Sequence, residues 1–289
     1  MSTIAVTGST GALGTLAIDQ LLKRVPASQI VAIARSEDKA AALRTKGVEV
    51  RIADYDQPST LAQALRGVDK VLLISANEVG KRFPQHSTVI DAAKAAGVSF
   101  IAYTSLLHAP TSDILLAPEH VQTEQYIAAS GIDHAFLRNG WYHENYLGTL
   151  EQVRQTGVLV TSVGAGKVSS ASREDFAEAA AIVISQPGHA GKAYELAGDV
   201  AWTHEELAED FESVIGIPVV LKNLSADAHL EALEAAGVPD GARQFVVSLD
   251  QSAAAGALED HSRDLSKLLG RPTTPLRAVL RQTPVASVA

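Results

Sequence analysis

Cysteine is absent from the 289-residue sequence. Without a thiol the chain can form no disulfide bond, thiolate zinc site or cysteine-bound iron–sulfur cluster, and it has no cysteine nucleophile. The redox state of the compartment therefore places no constraint on the fold, and we expect a cytoplasmic protein.

Basic residues are outnumbered by acidic ones. The chain has 24 Lys and Arg against 33 Asp and Glu, which gives a formal net charge of −9. An acidic surface repels a phosphate backbone, so we expect no nucleic-acid partner. The same charge still permits a small basic pocket for one phosphorylated cofactor.

Long apolar segments are also missing. The longest segment free of Asp, Glu, Lys and Arg covers residues 95–112 and contains Gly97 and Pro110, so we predict no membrane-spanning helix and no membrane partner. His120 and Glu124 have the spacing of neighbours on one helical face, but no third metal ligand is near them. We interpret them as a solvent-exposed pair and expect no metal.

The first half of the chain alternates apolar runs with segments of helical pattern. The predicted strands cover residues 4–7, 29–34, 48–53, 71–75, 99–105 and 133–138. Each run is continuously apolar, which is typical of parallel strands covered on both faces. The pattern predicts an α/β fold of the Rossmann-like type, with a doubly wound parallel sheet.

The pattern changes after Asn145. A helix is predicted from Ser172 to Ser185, and a glycine-containing segment at residues 188–191 interrupts the chain. We therefore predict a Rossmann-like domain at residues 1–187. Residues 188–289 are predicted to form a smaller α/β cap that holds the substrate.

A glycine-rich turn joins the first predicted strand to the first helix. Gly8, Gly11 and Gly14 are spaced three residues apart. In this position such glycines allow a tight turn, a close approach of the backbone to a pyrophosphate, and close packing of helix on sheet. The helix N-terminus then presents free N–H groups to the phosphates. The predicted cofactor-binding residues of the turn are Gly8, Ser9, Thr10, Gly11, Ala12 and Leu13.

The end of the second strand distinguishes NAD from NADP. Enzymes that use NAD place an acid there for the ribose 2′-hydroxyl, whereas this chain has Arg35, followed by Ser36. A guanidinium binds a 2′-phosphate through paired hydrogen bonds. Arg35, with Ser36 or Lys39, therefore predicts NADPH as the cofactor. Asp54, after the third strand, is placed either to meet the adenine or to cap a helix.

The glycine spacing resembles that of short-chain dehydrogenases, but their usual Tyr-x-x-x-Lys catalyst is missing. None of the six tyrosines has a lysine four residues later. A tyrosine with a pKa near ~10 is a poor acid or base at neutral pH. Alcohol–ketone chemistry and sugar epimerisation are thus disfavoured. A quinone remains a suitable hydride acceptor, since its reduction needs mainly positioning and exclusion of water.

Three segments together resemble the NmrA-like branch of atypical short-chain dehydrogenases. They are residues 7–14, 100–108 and 137–146, the last containing Arg-Asn-Gly-Trp-Tyr. The resemblance covers nearly the whole chain. It implies that NADPH lies on the phosphate loop and Arg35, and that the nicotinamide lies beside Ser75, residues 103–105, Asn139, Gly140, Trp141 and Tyr142. Members of this branch reduce quinones without flavin, whereas others bind the dinucleotide as redox sensors.

Five residues are our candidates for catalysis. They are Tyr103, Ser105, His108, Asn139 and Trp141. His108 is placed to protonate a quinone oxygen or to hold the loop before Pro110, and Trp141 and Tyr142 either face the cofactor or belong to the core. Arg173 is a further cofactor-binding candidate, for the diphosphate, or it caps its own helix.

The leading interpretation is direct hydride transfer from NADPH to a quinone, without flavin. A redox sensor without enzymatic activity is the alternative. A third interpretation, an isoflavone-reductase-like enzyme, ranks last because such enzymes rely on a lysine near the fifth strand, and no lysine occurs between Ala95 and Val153. We also expect a homodimer to be possible.

Overall fold

The computed structural model describes residues 2–282. The strands are β1 (Ile4–Val6), β2 (Ile30–Ala34), β3 (Glu49–Ile52), β4 (Lys70–Leu73), β5 (Phe100–Leu106), β6 (Asp133–Asn139), β7 (Val158–Thr161), β8 (Lys192–Leu196) and β9 (Val220–Asn223). The helices are α1 (Ala12–Leu22), α2 (Glu37–Arg44), α3 (Pro58–Ala64), α4 (Arg82–Ala95), α5 (Ala117–Ser130), α6 (Leu147–Thr156), α7 (Arg173–Ser185), α8 (His204–Ile215), α9 (Ala226–Ala235), α10 (Asp240–Ala254), α11 (Asp264–Leu269) and α12 (Leu276–Leu280).

Seven of these strands form one parallel sheet in the order β3-β2-β1-β4-β5-β6-β8. Every residue of β1 and β2 is buried, because helices cover both faces. The predicted doubly wound sheet is thus confirmed. The strand order reverses between β1 and β4, and a crevice opens at such a switch point beyond the carboxyl ends of the strands.

Two apolar layers enclose the sheet. Buried side chains of α1, α2 and α7 pack on one face, and those of α3, α4 and α5 pack on the other. A third cluster joins α6, α8 and α12 around the small sheet of β7 and β9. The core therefore has one layer on each face of the main sheet and a separate lobe beside them.

The two sheets do not divide at residue 187. β8 lies beyond that point and pairs with β6 in the main sheet, whereas β7 lies before it and pairs with β9. The proposed boundary therefore cuts through both sheets. That residues 188–289 hold the substrate stays a prediction.

No helix within residues 2–282 is both long and apolar enough to cross a membrane.

Candidate cofactor and active site

A cleft of about 540 Å³ opens at the switch point of the sheet. The phosphate loop, the ends of β2 and β3, and the loop after β4 form its walls. The lining residues that the sequence predicted are Gly8, Thr10, Gly11, Ala12, Leu13, Arg35, Ser75, Tyr142 and Arg173. Lys39 and Asp54, which the sequence left open, also line it.

The phosphate loop has the shape that its glycines require. Gly8 adopts a φ of +58°, in the left-handed region, and its carbonyl accepts a hydrogen bond from the Gly11 N–H at 3.0 Å. A Cβ on Gly14 would lie 2.2 Å from the Gly8 carbonyl oxygen, so only glycine fits where α1 meets the loop. No side chain caps the N-terminus of α1. Its first N–H groups therefore point toward the cleft as an anion site.

Ser9 contributes to the loop from inside. Its hydroxyl is fully buried and donates a 2.7 Å hydrogen bond to the carbonyl oxygen of Ile33. That bond ties the loop to β2. The Ser9 side chain consequently faces the protein rather than the cleft, and a contact of Ser9 with the cofactor stays a prediction that concerns its backbone.

Cationic side chains lie at the far end of the cleft. Arg35 follows β2 with its side chain 67% exposed, and Lys39 lies on the next helix. One Arg35 nitrogen is 4.0 Å from a carboxylate oxygen of Glu78 across the cleft. Two positive charges beside an open cavity suit a phosphate group. Tyr55 also lines this end, and burial raises the pKa of its hydroxyl to about 12.

The loop after β4 forms one side of the cleft. Ser75, Ala76, Asn77 and Glu78 all line it, with Gln85 from α4 behind them. The Ser75 N–H donates to the Thr104 hydroxyl at 2.9 Å, which fixes the start of the loop on β5. The sequence predicted only Ser75 here. Its neighbours lie on the same loop, but no motif marked them.

Tyr142 and Arg173 form a stacked pair at the inner end of the cleft. The Arg173 guanidinium lies 4.8 Å from the centre of the Tyr142 ring, and its Nη2 donates to the Asn145 side-chain oxygen at 3.0 Å. The Arg173 N–H donates to the Glu144 carboxylate at 2.9 Å. Burial raises the pKa of Tyr142. This pair places one cation and one aromatic ring beside the diphosphate region.

Asn139, Gly140 and Trp141 lie next to this pair but not on the cleft wall. Asn139 is 5% exposed, and its Oδ1 has no hydrogen-bond partner within residues 2–282. A Cβ on Gly140 would lie 3.1 Å from the Leu196 carbonyl oxygen, so glycine keeps β6 close to β8. Trp141 packs against the third apolar cluster. The orphaned Asn139 oxygen is suited to accept from a carboxamide N–H.

Tyr103 lies in the core rather than in the cleft. It is fully buried on the face covered by α4 and α5, and its hydroxyl is 2.8 Å from His120 Nδ1. Burial raises the pKa of the Tyr103 hydroxyl above its ordinary value. In this structure Tyr103 cannot contact an acceptor in the cleft, so the expectation of a catalytic Tyr103 is corrected.

Ser105 points to the same face as Tyr103. Its hydroxyl donates to the Glu124 carboxylate at 2.6 Å, and Arg138 binds that carboxylate through two nitrogens at 3.0 and 2.7 Å. Ser105 thus belongs to a buried ionic network. His120 and Glu124 are only 4% and 6% exposed, so our interpretation of a solvent-exposed pair is wrong. Their partners lie on other strands, which helical spacing cannot reveal.

His108 occupies a strained turn after β5. Its φ of +53° is uncommon for a residue other than glycine, and its N–H donates to Glu195 at 2.7 Å. The ring is partly exposed, and Nε2 lies 3.1 Å from the Asp260 carboxylate. No cluster of three or more His, Asp or Glu suited to a metal ion is found within the described residues 2–282.

Comparison with known proteins gives one consistent result. The model of the NmrA-like family matches residues 1–274. Quinone oxidoreductase 2 of Escherichia coli K12 is 54% identical over 273 residues, which are 94% of this chain and 96% of the relative. The crystal structure of the NADPH-dependent quinone oxidoreductase of Escherichia coli in complex with NADPH has a TM-score of 0.94 and 52% identity, and the match covers 97% of this chain and 99% of that chain.

A further relative carries a different name. The Citrobacter triphenylmethane reductase, solved as a complex with NADP(H), has a TM-score of 0.93 and 40% identity over 98% of this chain and 100% of that chain. Together with the family model, these matches over nearly the full length show that the chain belongs to the NmrA-like family.

Proposed function

We propose that this protein is an NADPH-dependent quinone oxidoreductase that needs no flavin. The observation that carries the proposal is the cleft itself, which combines a glycine phosphate loop, an uncapped helix N-terminus and the Arg35 cation. The relatives named above support the assignment. When bound, NADPH supplies a hydride, the equivalent of two electrons and one proton.

The residues of the cleft fit that cofactor. Gly11 and Gly14 keep a cradle open that a Cβ would fill, since the nearest atom to each added Cβ is the Gly8 carbonyl oxygen at 3.3 and 2.2 Å. The N–H groups at the α1 N-terminus would bind the diphosphate. Arg173 would provide a positive charge beside it. Arg35 and Lys39 hold the 2′-phosphate. Asn139 lies behind the cleft wall beside Tyr142, and its buried Oδ1 would accept from the nicotinamide carboxamide only where the ligand reaches past that wall.

Reduction of a quinone to a hydroquinone takes one hydride from the cofactor and one proton from another source. His108 is our proposed proton donor. Its Nε2 is held by Asp260, so in the protonated ring Nδ1 carries the second N–H and is free to donate. Ser105 and Trp141 act indirectly, because the first anchors β5 to Glu124 and the second closes the apolar wall.

The test is oxidation of NADPH at 340 nm by purified protein with a panel of quinones and no added flavin. We expect turnover with NADPH and weaker turnover with NADH. A protein that binds NADPH but turns over no quinone would favour the alternative, a redox sensor. Flavin that copurifies and changes oxidation state during turnover would contradict the proposed direct transfer.

A second acceptor class follows from the withdrawal of Tyr103 into the core. A cationic triphenylmethane dye accepts hydride at its central carbon and becomes a neutral leuco dye, with no proton required. Transfer to such an acceptor does not need Tyr103 as a proton donor, and the Citrobacter relative is named for reduction of these dyes. Bleaching of the dye by NADPH tests this activity. A cytoplasmic location and a homodimer stay predictions.

A further inference from the structure

The backbone of one cleft-wall residue, Ala76, is hydrogen-bonded by side chains that lie on the side away from the cleft. Ala76 lines the cleft in the loop after β4. Its N–H donates to His86 Nε2 at 2.9 Å, and its carbonyl oxygen accepts from Arg82 Nε at 2.7 Å. Both backbone polar groups of Ala76 are therefore bound by side chains from the first turns of α4.

The neighbours of His86 fix its protonation state. The Thr123 hydroxyl donates to the Glu119 carbonyl oxygen at 2.8 Å, so it can only accept from His86 Nδ1, which lies 3.1 Å away. Nδ1 thus carries the proton, and Nε2 offers its lone pair to Ala76. A doubly protonated ring would direct an N–H at the Ala76 N–H. The bond to the loop therefore requires the neutral ring in this one tautomer.

Side chains of α4 and α5 also hold the far end of the loop. The Glu119 carboxylate accepts from the Gly80 N–H at 3.1 Å with one oxygen and from Arg82 Nη1 at 3.1 Å with the other. His86 and Thr123 are fully buried, and Arg82 is 5% exposed. Buried polar groups cost stability unless every one is bonded, and apolar side chains of similar size would fill this space without that requirement. The network is consistent with a role beyond packing.

We propose that His86 is a positioning residue for the cofactor, which holds the Ala76 peptide in the conformation that receives NADPH. The inference rests on the proposed function, because it assumes that NADPH occupies this cleft. His86 itself lies behind the loop and touches no ligand. It preorganises the loop, so that residues 75–80 are already ordered before NADPH binds.

A pair of substitutions separates the loop bond from general packing. In His86→Gln the side-chain oxygen reaches the position of Nε2 and still accepts from Ala76, whereas the shorter side chain of His86→Asn does not. His120→Gln is the matched control, because His120 is 4% exposed in the same cluster but bonds Tyr103 and no loop atom. A purely structural role would make all three variants behave alike.

Two measurements read the result. Hydrogen–deuterium exchange of the Ala76 amide, without cofactor, measures how often its hydrogen bond to His86 opens. Calorimetry gives the Kd for NADPH. For His86→Asn we expect exchange and Kd each to rise about 10-fold, equivalent to about 1.4 kcal/mol, with kcat at saturating NADPH within about twofold. His86→Gln and His120→Gln should leave both within about threefold of the unmodified protein.

An unchanged exchange rate and Kd in His86→Asn would overturn the inference, as would equal losses in all three variants. If His86→Asn fails to fold, Thr123→Val removes the acceptor of His86 Nδ1 and must loosen the same amide. A protein that binds no NADPH would count against the proposed function instead. The exchange experiment without cofactor would still decide whether His86 holds the loop.

Discussion

His108 Nε2 and the Asp260 carboxylate lie 3.1 Å apart although 152 positions separate them in the sequence. The same carboxylate accepts from the Ser262 N–H at 2.9 Å. The contact joins the turn after β5 to the segment before α11. It holds one ring nitrogen of a partly exposed histidine and leaves the other open.

The proposed proton donor gives a prediction with two acceptors. His108→Gln should lower kcat for a quinone by roughly 10- to 100-fold, the effect of losing one proton-donating contact. Bleaching of a cationic dye needs no proton and should change little. Stopped-flow assays with both acceptors measure the difference, and the Kd for NADPH serves as the control. Equal losses with both acceptors would remove His108 from proton transfer.

Arg35 should determine the preference for NADPH. Arg35→Ala should weaken NADPH binding by about 1–3 kcal/mol, since a charge-assisted contact to the 2′-phosphate is lost, and leave NADH binding nearly unchanged. Arg44→Ala is a suitable control, because Arg44 is bonded to Glu37 and does not line the cleft. Calorimetric titrations with both cofactors provide the test. Equal affinity of the unmodified protein for NADPH and NADH would contradict it.

A branched side chain at position Gly11 should prevent NADPH binding. A Cβ there already lies 3.3 Å from the Gly8 carbonyl oxygen, and the methyl groups of Gly11→Val would occupy the space of the diphosphate. We expect a folded protein that no longer binds NADPH. Gly241→Val is the matched control, since its Cβ meets nothing within 4 Å. Circular dichroism and calorimetry report folding and binding separately, and normal binding by Gly11→Val would show that the cofactor lies elsewhere.

Two buried histidines should make the fold sensitive to acid. Burial lowers the pKa of His86 and of His120 from 6.5 to about 3. Between about pH 3 and pH 6.5 these histidines bind protons in the unfolded chain but not in the folded chain. The free energy of unfolding should therefore fall as the pH drops below about 6.5, by up to about 1.4 kcal/mol per pH unit for each histidine, and be unaffected by them above it.

Urea unfolding between pH 7.5 and 5 checks this dependence. His120→Gln should flatten the slope, even if the variant is less stable at pH 7.5. A slope that does not change would mean that His120 takes up no extra proton on unfolding.

The sequence predicts the main sheet and the cleft because the signals are local. A continuous apolar run such as β2 identifies a strand covered on both faces, and the spacing of Gly8, Gly11 and Gly14 identifies the phosphate loop. Arg35 stands directly after its strand, so its place beside the cleft follows from the fold. Such features need only the order of residues along a few turns of chain.

The remaining features depend on pairings that no local pattern records. A continuous apolar strand does not show which face a given side chain takes. The sequence therefore predicts a catalytic Tyr103, although in the structure this side chain points toward α4 and α5. The contact of Asp260 with His108 and the pairing of β7 with β9 join distant segments. Ala76 was missed because it contributes backbone, which has no sequence signature.

The path of the chain between its two sheets limits how the molecule can be recombined. The chain leaves the main sheet after β6 for β7, returns through α7 to β8, leaves again for β9, and comes back at α11. A chimera that exchanges the lobe of β7 and β9 between two relatives must therefore match several junctions at once, and a single splice would break both sheets. Single substitutions within the lobe leave every one of these junctions intact.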